Sequence, residues 1–216
     1  MKIGTTRVET FSDGVIAIII TIMVLSLKLP DFTKEATHWS TKQSLEQMLP
    51  YFATYSFSFM MVGIFWINHH HMFHLLEKTN EALLLQNLFF LFWMSLIPIA
   101  TAFIGSNPLI SESVAFYGFI MLMTTSAFTI MRAYSIRKGL VHKDEDKKIT
   151  SKIYSVSFRA RTKSYTGTIA YLCSVPLAFV NVYLAFVCFI IPPVLFFIPD
   201  GIDDEVLAEK IADKNA

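Results

Sequence analysis

Long apolar runs separated by short polar links dominate the sequence. A transmembrane helix needs about 20 mostly apolar residues, and four runs approach or exceed this length, at about 11–29, 48–68, 82–103 and 108–131. The first run is polar at its start, and its wholly uncharged part, Gly14 to Leu27, is short. We therefore expect the polar end of this helix to pack against protein.

A fifth apolar run continues from about residue 165 to 198, which is too long for one crossing at about 1.5 Å per residue. Pro176 and Asn181 lie near its middle, and a proline interrupts helical hydrogen bonding. The pattern predicts two short spans, 165–180 and 182–198, joined by a tight hairpin. Five spans with one long bent helix is the alternative count.

The distribution of basic residues predicts the orientation in the membrane. The segment from Arg132 to Lys163 carries ten Lys or Arg residues, whereas the links at Gly105 to Asn107 and around Asn181 carry none. Cytoplasmic loops are enriched in Lys and Arg. Both termini, the link between the second and third spans and the basic segment are therefore expected in the cytoplasm. This topology puts 15 of the 18 basic residues inside; outside are Lys28, Lys34 and Lys42.

Composition excludes an ordinary soluble domain. Apolar residues make up 54% of the chain and charged residues only 16%, against roughly a quarter charged in soluble domains. A net charge of +1 gives no reason to expect a nucleic-acid partner. Cys173 and Cys188 lie in apolar runs without CxxC spacing, which favours simple packing. We predict an all-α membrane protein with a six-span domain over residues 1–199 and a cytoplasmic tail over 200–216.

The entrance to the first helix carries the most informative polar residues. Arg7 and Asp13 lie at a membrane entrance, where charged side chains are costly unless paired, so they mark a candidate functional site. The simpler alternative is that Ser12 or Asp13 caps the start of the helix.

A different face of this helix is apolar. At about 100° per residue, Phe11, Ile18 and Leu25 fall on one stripe, and Asp13 lies about 140° around the helix from Ile18. Thr21 adds a single hydroxyl beside the stripe. Several copies of this face around an axis would enclose a narrow apolar passage. Ordinary helix packing is the alternative interpretation of Ile18 and Leu25.

The same segment resembles a known family. It reads Arg-x-x-x-Phe-Ser-Asp, the signature of the transmembrane protein 175 family of potassium channels of endolysosomes and prokaryotes, at Arg7, Phe11, Ser12 and Asp13. The stretch from Gly14 to Thr21 and the stretch from Phe65 to His70, with its Trp-x-x-His element, resemble the prokaryotic form. With six predicted spans, the resemblance covers nearly the whole chain.

The resemblance implies a homotetramer in a prokaryotic cell membrane, with the first helix of each subunit lining a potassium-selective pore. It implies a hydrophobic constriction at Ile18, a polar layer at Thr21 and a further apolar layer at Leu25. It also implies a polar network formed by Arg7, Phe11, Ser12, Asp13, Trp66, His69 and His70. The family lacks the TVGYG carbonyl filter, and this sequence contains no such motif. Partial dehydration at a tight apolar ring, which costs K⁺ less than Na⁺, is then the implied basis of selectivity.

Four clustered histidines invite a metal interpretation: His69, His70, His71 and His74. His70 and His74 are four residues apart on a helix, a spacing at which two imidazoles can share Zn²⁺. No Cys or carboxylate falls within the cluster, so we predict packing or polar-network roles and no metal. The family resemblance implies that a histidine beside the Trp-x-x-His element packs against the Phe-Ser-Asp segment, and His69 and His70 are both candidates for it.

A secondary transporter or proton-leak carrier is the alternative function. Transporters typically show internal repeats and broken helices around a mid-membrane site, but the prolines of this chain follow no repeat. No nucleophile–base constellation or phosphate loop falls within the spans, so an enzyme is not expected. The basic segment is a topology determinant, with binding of anionic lipid headgroups as the alternative role. The expected partners are further copies of the chain and membrane lipids, with K⁺ as the permeant ion and no cofactor.

Overall fold

The computed structural model describes residues 4–27, 41–141 and 147–197, which form seven α-helices. The predicted tail, 200–216, and the ends of the first and last predicted spans lie outside these ranges. A single 3-10 turn, Met23–Ser26, extends the first helix. The helices are α1 (Thr5–Ile22), α2 (Thr41–His74), α3 (Glu81–Ser95), α4 (Ile97–Ser106), α5 (Ser111–Arg137), α6 (Lys147–Val180) and α7 (Val182–Phe197).

Four segments are long and apolar enough to cross a membrane: Thr5–Ser26, Met48–His74, Glu81–Ser106 and Ser111–Arg137. Within the described ranges no strand accompanies them, apart from an isolated bridge between Leu76 and Val141. The predicted all-α membrane fold is confirmed. The crossings assigned to the apolar end of α6 and to α7 stay predictions.

The third of these segments is two helices, where the sequence predicted one continuous span over 82–103. α3 ends at Ser95 and α4 begins at Ile97. Pro98, in the first turn of α4, has no N–H to donate to the carbonyl of Met94, so the helical hydrogen bond is missing at this point. Leu96 instead donates to Trp93, over 3.2 Å, in a tighter turn.

The last apolar run is a helical hairpin that turns at Asn181. α6 is 34 residues long and passes through Pro176 without ending. The side chain of Asn181 accepts a hydrogen bond of 2.9 Å from the backbone N–H of Tyr183, which caps the start of α7. α6 and α7 pack against each other along the hairpin.

Two links meet at one end of the helix bundle. The backbone N–H of Glu77, after α2, donates to the carbonyl of Leu140, after α5, over 2.9 Å. Gly139 ends α5 with a φ of 62°, a left-handed conformation that costs glycine little. The predicted topology requires these two links on the same side of the membrane.

α5 is the central helix, and α1 lies at the edge of the subunit. α5 packs on α3, α4, α6 and α7, whereas α1 packs on α2, α3 and α4. In the most apolar part of each segment, 67% of the residues of α5 are buried, against 28% for α1 and its 3-10 turn. α1 therefore has a large face that no other described element of the subunit covers.

Candidate functional site

α1 has one buried face and one exposed face. The buried face, which packs on the subunit, consists of Val8, Ser12, Ile16, Ile19 and, in the 3-10 turn, Met23. The opposite face, here called the exposed stripe, consists of Arg7, Phe11, Gly14, Ile18, Thr21 and Leu25. Because these positions recur every three or four residues, they form one continuous line along the helix.

A buried chain of hydrogen bonds fixes the polar side of α1. The Asn87 amide donates to the Ser12 hydroxyl over 2.8 Å, and Ser12 donates to the carbonyl of Val8 over 2.9 Å. The amide oxygen of Asn87 lies 2.9 Å from Nε2 of His69. Since that oxygen can only accept, Nε2 of the imidazole donates. This chain, here called the buried relay, joins α1, α2 and α3.

Of the two candidate histidines, His69 is linked to Ser12 of the Phe-Ser-Asp segment through Asn87. It is fully buried, and its ring stacks on Phe73 and Phe90 with centroids 4.4 and 5.9 Å apart. His70 lies one position on and is exposed.

Two exposed contacts join α1 to α2 beside the buried relay. The Trp66 indole N–H donates to a carboxylate oxygen of Asp13 over 3.0 Å. One helical turn away, Nδ1 of His70 lies 2.8 Å from a carboxylate oxygen of Glu9. Glu9 and Asp13 are four residues apart on α1, as are Trp66 and His70 on α2. The two antiparallel helices are therefore joined by two rungs at matching spacing.

The capping interpretation of Ser12 and Asp13 is excluded. α1 begins at Thr5, with Gly4 as its N-cap residue, so Ser12 and Asp13 lie in the second and third turns. Their side chains contact other helices and the preceding turn, not the orphan N–H groups of a helix start.

The structure brings together five of the seven residues of the predicted polar network, but it separates the other two. The five are Ser12, Asp13, Trp66, His69 and His70. Arg7 and Phe11 lie on the exposed stripe, away from the contacts with α2. Arg7 and Asp13 are six residues apart, which places them about 120° from each other around the helix, so they do not face a common partner. Among the described residues, the partner of Asp13 is Trp66.

The proposed pore residues all lie on the exposed stripe. Ile18 is 58% exposed and Leu25 is 77% exposed. The Thr21 hydroxyl donates to the carbonyl of Ile18 over 2.9 Å. Ile20, two residues after Ile18, instead packs partly against the hydrophobic core.

Comparison with known proteins places this site in a family. A protein from Chryseobacterium sp. (strain P1-3), named as a potassium channel, is 40% identical over 204 residues, covering 94% of this chain and 98% of the relative. The family model described as endosomal/lysosomal potassium channel TMEM175 matches residues 7–98. The chain belongs to the TMEM175 family.

A solved TMEM175 structure has a similar fold. The crystal structure of a lysosomal potassium-selective channel TMEM175 homolog from Chamaesiphon minutus superposes with a TM-score of 0.73 at 25% identity, covering 91% of this chain and 97% of that chain. The human protein named endosomal/lysosomal proton channel TMEM175 is 36% identical over 108 residues, covering 48% of this chain and 19% of that protein. The family is one of ion channels, and this chain is a multi-pass membrane protein.

The TMEM175 match over residues 7–98 contains the exposed stripe, the buried relay and both rungs. Two members of the site were not expected from the sequence. Asn87 is a neutral amide inside an apolar run, and Glu9 lies within the signature but outside its fixed positions. The roles of both residues depend on how α3 and α2 pack against α1, which the sequence alone does not give.

A second polar centre of this TMEM175 chain lies at Arg132, which the sequence interpretation counted only as part of the basic segment. Arg132 is 3% exposed and donates to the carbonyl of Ala160 and the hydroxyl of Ser164, over 2.9 and 3.0 Å. Its other terminal nitrogen donates to the backbone carbonyl of Asn68 over 3.2 Å. Arg132 thus ties α2, α5 and α6 together.

The histidine cluster takes part in ring contacts. His70 and His74 stack with centroids 6.1 Å apart, and Trp66 stacks on His70 at 6.4 Å. Within the ranges that the structure describes, no group of three or more His, Cys, Asp or Glu side chains is arranged to hold a metal ion.

Proposed function

We propose that this chain is the subunit of a homotetrameric, potassium-selective channel in a prokaryotic cell membrane, with α1 of each subunit lining the pore. The observation that carries the proposal is the contrast between the two faces of α1. One face is fixed to α2 and α3 by the buried relay and the two rungs, and the other is exposed along the whole helix. The proposal that the transported ion is K⁺ is supported by relatives of this chain that are named as potassium channels.

A second copy of the chain explains the exposed stripe better than lipid does. A lipid-facing surface needs only apolar side chains, but this stripe also carries Arg7 and Thr21. Four stripes around an axis would place these polar positions along a water-accessible path and leave apolar rings between them.

Ile18 forms the constriction in this arrangement. Four isoleucine side chains leave little room and offer a passing ion no hydrogen bonds, so the ion must lose part of its hydration shell there. K⁺ is larger and less strongly hydrated than Na⁺, so dehydration favours K⁺. This is selectivity by a hydrophobic constriction, without a ring of backbone carbonyls.

Thr21 provides a polar layer directly after the constriction. Its hydroxyl hydrogen is used by the carbonyl of Ile18, so the remaining lone pairs on the oxygen are acceptors. Four such oxygens can partly replace lost hydration water around a cation. Leu25, one turn further on, then restores an apolar layer.

The proposed topology has six spans over residues 1–199, with both termini in the cytoplasm and residues 200–216 as a cytoplasmic tail. The meeting of the α2–α3 and α5–α6 links at one end of the bundle supports it. Single cysteines introduced at Lys143 and Lys42 should react with a membrane-impermeant thiol reagent from opposite sides of the membrane. Labelling of both from outside the cell contradicts six spans.

Proton permeation is the second candidate function, because the human relative is named as a proton channel. Purified protein in liposomes, tested separately under K⁺, Na⁺ and H⁺ gradients, decides between the two. A potassium-selective channel gives fast K⁺ flux, slower Na⁺ flux and H⁺ flux that does not exceed the K⁺ flux. Proton flux without K⁺ flux assigns the chain to proton conduction instead.

A further inference from the structure

The outer face of α6 carries an apolar stripe that no other described element covers. Phe158, Tyr165, Ile169 and Leu172 are all exposed and recur every three to seven residues along the helix. The opposite face of α6 packs on α5 and α7, whereas α1 packs on α2, α3 and α4. This outer stripe therefore lies away from the proposed pore axis.

Two arginines flank the cytoplasmic end of the outer stripe. Taking Phe158 as its centre, Arg161 lies about 60° to one side and Arg159 about 100° to the other, at about 100° per residue. The Arg161 guanidinium lies 4.6 Å from the ring centroid of Phe158. Stacking occupies the planar face of a guanidinium and leaves the N–H groups at its edge to bind an anion. No Asp or Glu occurs between residues 147 and 197.

The depth of these residues matches one leaflet of a bilayer. From Val180, at the hairpin end of α6, Tyr165 is about 22 Å along the helix axis and the two arginines are about 28–32 Å along it, at 1.5 Å per residue. A hydrocarbon core is about 30 Å thick. Tyr165 then lies in the inner half of the hydrocarbon core, and the arginines lie at its inner boundary, from which their long side chains reach the phosphate layer.

We propose that this face of α6 binds one anionic phospholipid of the inner leaflet per subunit. Its acyl chains lie along Tyr165, Ile169 and Leu172, and its phosphate is held by the edge N–H groups of Arg161, while Arg159 adds positive charge from the other side of the outer stripe. The proposal rests on the orientation given under the proposed function, but not on ion conduction. A guanidinium binds phosphate through paired N–H groups, and an acidic soluble peptide would leave the adjoining apolar stripe uncovered within the membrane.

Native mass spectrometry of the purified full-length protein in mixed phosphatidylglycerol and phosphatidylcholine nanodiscs tests this site. The variant Arg159→Gln/Arg161→Gln should bind phosphatidylglycerol about 30-fold more weakly, because the charge-assisted hydrogen bonds of the guanidinium to the phosphate are lost. Its matched control is Arg137→Gln/Lys138→Gln, which removes the same charge from exposed positions at the end of α5. The control should keep wild-type binding, whereas Arg159→Lys/Arg161→Lys, which keeps the charge but loses the paired N–H groups, should bind with an affinity between those of the wild type and the glutamine variant.

Three results overturn the site. Equal loss of phosphatidylglycerol in both glutamine variants means that binding follows net charge alone. Unchanged binding in Arg159→Gln/Arg161→Gln means that the phosphate is held elsewhere. Dissociation of the tetramer in that variant assigns the outer stripe to subunit contact. None of these results depends on K⁺ flux, so a failed channel assay and a failed lipid assay are distinguishable.

Discussion

Asn87 donates a hydrogen bond of 2.8 Å to the hydroxyl of Ser12, a residue 75 positions earlier in the chain. Through this bond α3 holds the buried face of α1 and thereby aims the opposite face outward. The orientation of the proposed pore surface is thus set by a contact on the other side of the same helix.

Replacing Ile18 with Asn should weaken ion discrimination. A polar ring widens or wets the constriction, so conductance should rise and the K⁺/Na⁺ permeability ratio should fall by about tenfold, the effect of about 1.4 kcal/mol. Reversal potentials in planar bilayers under K⁺/Na⁺ gradients measure this ratio. Ile130→Asn is the matched control, because Ile18 and Ile130 are both 58% exposed but lie on different helices. Ile20→Asn should instead disturb packing. Wild-type selectivity in Ile18→Asn would remove α1 from the constriction.

Replacing Asn87 with Leu should destabilise the assembled protein. The substitution leaves the donor of His69 buried without its acceptor, which costs about 1–3 kcal/mol. Thermal unfolding in detergent, followed by light scattering or tetramer yield, measures the loss. The adjacent Gln86→Leu is a suitable control, because among the described residues the Gln86 side-chain oxygen is buried without a hydrogen-bond partner. If both variants unfold at the wild-type temperature, the buried relay does not contribute to stability.

The role of Asp13 can be separated into charge and hydrogen bonding. Asp13→Ala removes the acceptor of the Trp66 indole and should lower tetramer stability, by about 0.5–1.5 kcal/mol, without changing ion selectivity. Asp13→Asn keeps an acceptor oxygen and should restore most of that stability. A stable Asp13→Ala tetramer with altered reversal potential would show that Asp13 faces the pore.

Arg132→Gln should lower the free energy of unfolding by about 1.5–3 kcal/mol, because a buried guanidinium with several carbonyl and hydroxyl partners is lost. Arg137→Gln, on the same helix but exposed, should change stability by less than about 0.5 kcal/mol. Thermal unfolding of the two purified variants provides the comparison. Equal stability would mean that Arg132 acts only as one more cytoplasmic charge.

Gly118→Ala should destabilise the contact between α5 and the α6–α7 hairpin. A Cβ at this position would lie 2.8 Å from Oγ of Ser174 and 3.3 Å from the ring of Phe189. Overpacking of this kind costs about 1–3 kcal/mol. Gly63→Ala is the control, because nothing lies within 4 Å of its Cβ position, and alanine there should stabilise the helix by about 0.5–1 kcal/mol. An increase in stability in both variants would mean that the α6–α7 hairpin can move away from α5 to make room for the added methyl group.

Much of the fold was predictable because a membrane-spanning helix is recognised by one continuous run of apolar residues in the sequence. The apolar runs predicted the helices. Asp13 was predicted to have a partner because a charged side chain at the membrane boundary is costly when it is unpaired. The partner itself was beyond sequence reasoning, since it depends on how α2 is rotated against α1. The same limit applies to Asn87, because Gln86 beside it has the same chemistry and only the rotation of α3 decides which amide meets Ser12.

The break at Leu96 and the burial of Arg132 show a second limit. Pro98 was visible as a potential kink, but whether a helix bends or ends at a proline depends on the neighbours that accept the freed carbonyls. Arg132 lies directly after an apolar run, where a basic residue usually indicates only that the following loop is cytoplasmic. Only its backbone partners on α2 and α6 distinguish it from the exposed Arg137.

The two rungs and the buried relay lie entirely within α1, α2 and α3. The second half of the chain reaches α2 at several points. Arg132 donates to the main-chain carbonyl of Asn68, a group that every residue type supplies, and the Tyr117 hydroxyl lies 3.0 Å from that of Ser58. The side-chain hydrogen bonds that orient α1 are therefore made without α5, α6 or α7, so the rotational setting of the proposed pore helix is fixed within the first half of the chain.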